Sequence, residues 1–182
     1  MKTKWRLGVA VGVGLMTLII GRAEAGTGTI DGTITVTPLA TVMLQLSPTY
    51  YSYGTLPVGV GQSSITANFL TLSNTGQVNV TMQKQVTAGG GWTPSTAVST
   101  DTFVLWVTTA NAMPAAAEFT AATQFGALSN NTNLTAAGGT QITLTTDATL
   151  PSVKLWFKLD MPTQVTTSSS RLISVRFTGT GQ

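Results

Sequence analysis

Two tryptophans invite a chemical reading. In the stretch VKLWFKLD, Val153, Leu155, Phe157 and Leu159 share one side of an extended chain, which leaves Lys154, Trp156 and Lys158 on the other. Trp106 holds the equivalent place in DTFVLWVTT, opposite Phe103 and Val107. An indole beside ammonium groups can stack on a sugar or accept a cation–π contact. Trp106, Lys154, Trp156 and Lys158 are therefore candidate contact residues, with Trp92 of the GGGWTP loop as a candidate surface anchor. The competing expectation is packing, because large aromatics are mostly buried. The Ala-rich segment, another strand or a second subunit would then cover each indole, and packing explains Trp156 better than a sugar site. Tyr50, Tyr51 and Tyr53 precede a glycine turn and read as an amphipathic lid on one end of the domain.

What the chain lacks narrows the chemistry further. It contains no His and no Cys, which removes Cys- and His-based nucleophiles, Ser-His-Asp triads and the usual zinc sites. Beyond the first 25 residues the acids are Asp31, Asp101, Glu118, Asp147 and Asp160, and no two lie closer than 13 residues apart. Paired-carboxylate catalysis has little to draw on. The aspartates could ligate calcium through oxygen, but the local clustering of acids usual in calcium loops is missing. The expectation is a non-catalytic protein without a cofactor.

The opening residues read as an export signal. Lys2, Lys4 and Arg6 precede the apolar run Gly8 to Ile20, and Ala23-Glu24-Ala25 supplies a small-x-small cleavage pattern. That run is short for a membrane span, and no second one follows. A mature chain would start at Gly26, leaving 157 of the 182 residues as one domain on the cell surface, secreted or in the periplasm. Lys84, Lys154, Lys158, Arg171 and Arg176 then balance the five acids, so the pI near 9.5 belongs largely to the leader. With no basic excess there is no electrostatic footprint for nucleic acid. A polar exterior of Thr, Ser, Asn and Gln with so few charges repels its neighbours weakly.

The elements that must position these side chains are strands. Alternation of period two recurs in IDGTITVT (30–37), TVMLQLS (41–47), SITANFLTL (64–72), QVNVTMQKQVT (77–87), DTFVLWVTT (101–109), TQITLTT (140–146), VKLWFKLD (153–160) and RLISVRFTG (171–179). Gly-, Pro- and Asn-rich turns separate them. The expected fold is all-β, an antiparallel β-sandwich of about eight strands, with a barrel as the alternative. Residues 112–125, rich in alanine, form either one short helix or a long surface connection. Lys84 shares a face with Val78, Val80, Met82 and Val86, so it is expected where its strand leaves the core, or with its stem snorkelling to water. Leu-Trp followed by Met-Pro occurs twice, at 105–114 and 155–162, as though marking equivalent strands in opposing sheets. In the first strand Ile30, Ile34 and Val36 align on one face; the strand completes its own sheet or is donated to a neighbour's edge.

Between Tyr53 and Asn79 the chain reads YGTLPVGVGQSSITANFLTLSNTGQVN. Tyr53, Gly54, Val58, Gly59, Asn74, Thr75 and Gly76 follow an aromatic-Gly-x-x-x-Val-Gly, then Asn-Thr-Gly, pattern. The stretch resembles bacterial secreted immunoglobulin-like domains, hydin-type relatives included. It departs from them at Tyr53, where Phe is commoner, and in the extra Val60-Gly61. The order of leader, strand and Asn-Thr-Gly is also similar to that of camelysin-type biofilm-matrix fibre subunits. The resemblance implies an immunoglobulin-like sandwich with a core strand ending at the Asn-Thr-Gly corner. There Gly76 is expected to take positive φ, and Asn74 to bond the turning backbone.

Two functions are compatible with these residues. One is a secreted structural or surface-assembly subunit that self-associates or meets a cell-surface partner, polymerising through its N-terminal strand. The other is a monomeric carbohydrate- or surface-binding module using Trp92, Trp106 or Trp156 on a glycan.

Overall fold

Threonine- and valine-rich alternation becomes strand over much of its length in the computed structural model, which describes residues 41–59 and 62–182, although the run 140–146 shrinks to Thr143–Leu144 and the run 171–179 pairs only from Ser174. Ten strands lie in that range: β1 (Leu44–Ser47), β2 (Ser63–Ile65), β3 (Leu70–Asn74), β4 (Val80–Ala88), β5 (Thr93–Pro94), β6 (Thr102–Thr109), β7 (Thr132–Asn133), β8 (Thr143–Leu144), β9 (Ser152–Asp160) and β10 (Ser174–Gly181). They form two sheets. The first runs β1-β3-β9-β6-β5 with β2 also on β9; the second runs β10-β4-β7 with β8 also on β4. Every pairing is antiparallel except the two-residue β5–β6 contact. The fold is all-β and sandwich-like. Three of the ten strands, β5, β7 and β8, are two-residue pieces, and of these only β8 falls within a run that alternates.

The main core lies between the sheets. Leu70 and Leu72 of β3, Phe103, Leu105 and Val107 of β6, and Leu155 and Phe157 of β9 meet Val80, Met82 and Val86 of β4. Phe125 enters from the connection after β6 and stacks on Phe157 at 6.3 Å, while Phe177 of β10 stands edge-on to both. That connection, residues 112–125, holds two single 3-10 turns, Ala116–Glu118 and Ala121–Thr123, and no α-helix. Alanine propensity alone is too weak to nucleate one, and the backbone instead reaches inward: Phe125 N–H donates to the Leu105 carbonyl at 3.0 Å.

Several expectations are corrected. The run 64–72 is two strands, not one, and both pair with β9. The break falls at Thr66, whose hydroxyl accepts from the Phe157 N–H at 3.1 Å and whose own N–H donates to the Phe157 carbonyl at 2.9 Å. The Leu-Trp repeats do not face each other across the sandwich. They sit in β6 and β9, adjacent in one sheet, with Val107 opposite Phe157.

Lys84 neither leaves the core nor reaches water. It is 0% exposed, with its amine donating to the carbonyls of Asn133 at 2.8 Å and Ala122 at 3.3 Å, 5.8 Å from the Phe125 ring centre. The Asn133 carbonyl of β7 and the Ala122 carbonyl of the second 3-10 turn, the latter shared with the Thr135 hydroxyl, supply the partners that make burial tolerable.

The Asn-Thr-Gly corner is built for a different reason than left-handed backbone. Asn74 does bond the turn: its amide donates to the Val78 carbonyl at 2.8 Å, and its carbonyl oxygen accepts from the Gly76 N–H at 3.0 Å. Gly76, however, has no positive φ. A Cβ there would come within 2.6 Å of the Met43 nitrogen and closer still to the Thr41 carbonyl. Glycine is required by close approach, because the chain entering β1 crosses over the corner with Gln77 N–H donating to Thr41 O at 2.8 Å. The same entry point lies beside the other end of the chain, where a Cβ on Gly181 would stand 3.2 Å from Val42.

Candidate functional site

Strand parity puts Trp106 and Trp156 on the face of the first sheet that turns away from the main core, and the structure keeps that parity. The face is nonetheless covered. Trp106 is 7% exposed and Trp156 5%; with Val104 and Phe119 they form a second apolar cluster. Phe119 reaches it from the 112–125 connection, and Ile65 packs on it from the end of β2, Phe69 from the β2–β3 break, Val98 from the β5–β6 loop and Ala110 from just after β6. β6 and β9 are therefore buried on both faces, which explains their nearly continuous apolar runs FVLWV and LWF.

The lysines close the cluster. Lys158 Nζ sits 4.0 Å from the Trp106 ring centre and pairs with Asp160 at 3.0 Å. Lys154 Nζ lies 4.5 Å from the Phe69 ring centre and donates to the Asn111 carbonyl at 3.2 Å. Trp156 packs against Phe69 with ring centres 5.6 Å apart, and its Nε1–H donates to the Ala110 carbonyl at 2.9 Å. Each indole thus has a cationic or aromatic partner, and the Trp156 N–H has a carbonyl. The expected contact residues Trp106, Lys154, Trp156 and Lys158 come together, but as a packed and self-paired layer with no bare aromatic platform. A cleft of about 370 Å³ beside Lys154 is lined by Thr71, Thr109, Asn111, Ile142 and Ser152 and carries no aromatic ring.

Trp92 lies elsewhere. It is half-buried against the main core, 6.4 Å from Phe103 between ring centres, with the Arg171 guanidinium 5.9 Å from its ring. Gly90 and Gly91 beside it have positive φ, so the GGGW turn needs those glycines. Arg171 Nη1 donates to the Gly90 carbonyl at 3.1 Å and ties the turn to the segment leading into β10. Ile30, Ile34 and Val36 lie outside the described residues.

Among the described residues no group of three or more His, Cys, Asp or Glu side chains gathers as metal ligands would. Asp101 and Asp147 bond backbone instead. Asp101 accepts from the Thr166 N–H and Asp147 from the Thr149 N–H, each at 2.9 Å, and these bonds hold both carboxyls below the usual range. Asp101 stands at φ 52° and anchors a corner.

Phe69 and Phe119 complete the outer cluster without having been singled out as site residues. Phe69 belongs to the 64–72 run, where it reads as a strand residue, and Phe119 shares the alanine-rich 112–125 connection with Phe125. No helix among the described residues is long and apolar enough to cross a membrane. No family model matches the chain, and no curated protein or solved structure is detectably similar to it.

Proposed function

We propose that this chain is a secreted, non-catalytic structural subunit of immunoglobulin-like type that assembles with its own kind, its first 25 residues serving as an export leader. The observation that carries the reading is the sealing of the aromatic face. Trp106 and Trp156 are 7% and 5% exposed, and their cationic neighbours already have partners. Side chains that would recognise a glycan are spent on rigidity. Outside lie threonine, glutamine, asparagine and serine with few charges, interrupted by exposed apolar side chains such as Tyr50, Met113 and Leu172, a surface with little to keep neighbouring copies apart.

The test is the association state of protein beginning at Gly26, by light scattering after size exclusion and by negative-stain microscopy. Filaments or large oligomers that vanish when residues 26–37 are deleted are expected. A strict monomer that is retarded on a polysaccharide column would replace this reading with the glycan-binding one.

A further inference from the structure

The edges of the two sheets are unequal. β1 has four residues, β2 three, and β5, β7 and β8 two each. Short edges of this kind blunt strand addition. β10 is the exception. It has eight residues, ends its sheet, and carries no proline and one charge, Arg176. All of its cross-strand partners lie on β4, and among the described residues no strand covers its outer side.

The core is also thinnest there. Val175 and Phe177 of β10 point inward but stay only half-buried, and so do Leu44 and Leu46 of β1, the edge of the facing sheet. By contrast Val80, Met82 and Val86 of β4, one strand further in, are fully buried. Near the C-terminal end of β10 the seam is narrow: Cβ atoms on Gly179 and Gly181 would stand 3.0 Å from Leu44 and 3.2 Å from Val42. Towards Phe177 and Val175 large side chains line it instead.

We infer that the outer edge of β10 accepts the segment Ile30–Thr37 of a second copy of this chain, laid antiparallel to it. This rests on the assembly reading above and adds the place and direction of the contact. The segment is eight residues long, like β10. Ile30, Gly32, Ile34 and Val36 alternate with Asp31 and three threonines, matching Val175, Phe177 and Gly179 alternating with Arg176, Thr178 and Thr180. Its one charge is opposite in sign to the one on β10.

Reach separates the chain's own segment from a second copy's by direction. Thr41 lies at the Gly181 end of β10, since Val42 neighbours Gly181 and Thr41 accepts from Gln77. A segment antiparallel along the whole of β10 would place Thr37 beside Ser174, about 23 Å away at roughly 3.3 Å per residue. The link from Thr37 to Thr41 spans at most about 14 Å. The chain's own segment can therefore add to β10 only in the parallel sense, the slightly weaker pairing per residue. A neighbour's segment has no such constraint, and a head-to-tail contact that does not close on itself propagates.

The chain has no cysteine, so introduced thiols report cleanly. Full-length chains carrying Thr33→Cys are mixed with chains carrying a single cysteine at Arg176, Thr178, Thr180 or Gln45, then oxidised and run on non-reducing gels. Light scattering of the wild-type chain accompanies them. The expected result is a disulfide-linked dimer with one of the three β10 positions and none with Gln45. Moving the donor to Thr35→Cys should shift the best partner towards Arg176, the signature of antiparallel pairing. A shift towards Thr180, a bond within one chain when Thr33→Cys and Thr178→Cys are placed on the same molecule, or linkage to Gln45 overturns the inference. If wild-type protein assembles but no β10 position links, the edge is wrong and the assembly reading stands. If wild-type protein stays monomeric, both fall.

Discussion

At the scale of single residues, the fully buried Lys84 has the clearest consequence. Burial in the core lowers its pKa from 10.5 to about 8, with no carboxylate beside it to offset the loss of water. Between those two values the unfolded chain binds the proton and the folded chain does not, so stability rises with pH from about 8 towards 10. Below pH 8 the charged amine costs the fold roughly 3 kcal/mol relative to a lysine left in water. Above pH 10 Tyr53 works against the rise. Its buried phenol is pushed far up and stays protonated while the unfolded one ionises. Urea midpoints measured from pH 7 to 10 should climb in the wild type and stay flat in Lys84→Met. A second residue-scale prediction concerns Lys158 over Trp106. A double-mutant cycle with Lys158→Ala and Trp106→Leu should return a coupling of about 0.5–1 kcal/mol, read from denaturant unfolding. A value indistinguishable from zero would mean that the lysine is merely parked there.

At the scale of elements, parity was legible and covering was not. Alternation in VKLWFKLD and DTFVLWVTT places every side chain of β9 and β6 on its correct face, because the pleat has a period of two irrespective of context. Whether the second face is wet depends on which distant segments cross it, and that is a tertiary fact. Val98, Phe69 and Phe119 come from three different connections, and no spacing rule links them to Trp156. Lys84 was misplaced for the same kind of reason: its partners are backbone carbonyls, which any residue has, so no side chain in the sequence announces them. Gly76 was assigned to the right corner but for the wrong cause, since dihedral freedom and close approach both select glycine. The demand for glycine at this corner is tested against a glycine in open space. Gly76→Ala should cost about 1–3 kcal/mol by forcing the β1 entry away from the corner, whereas Gly138→Ala, with nothing within 4 Å, should stay within about 0.5 kcal/mol. Thermal or urea unfolding of the pair decides it.

At the scale of the whole molecule, the two sheets are unequal partners. The first is packed on both faces around β6 and β9, and the second carries its outermost long strand at an edge. Protection from amide exchange should therefore be greatest in β6 and β9 and follow in β4, while β10 exchanges fastest of the long strands. On assembly the gain in protection should be concentrated in β10. A uniform gain, or one centred on the sealed tryptophan face, would point to a different contact.

Val42 and Gly181 are neighbours, so chain enters and leaves the described body at one point. Tension applied through those two positions would peel β1 and β10 from the same end, breaking rungs one after another as a zipper opens. A strand from another molecule lying along β10 would instead meet a lengthwise pull with all its rungs at once. Load passed between copies would still enter each body at Val42, so β1 would unzip before the join parted.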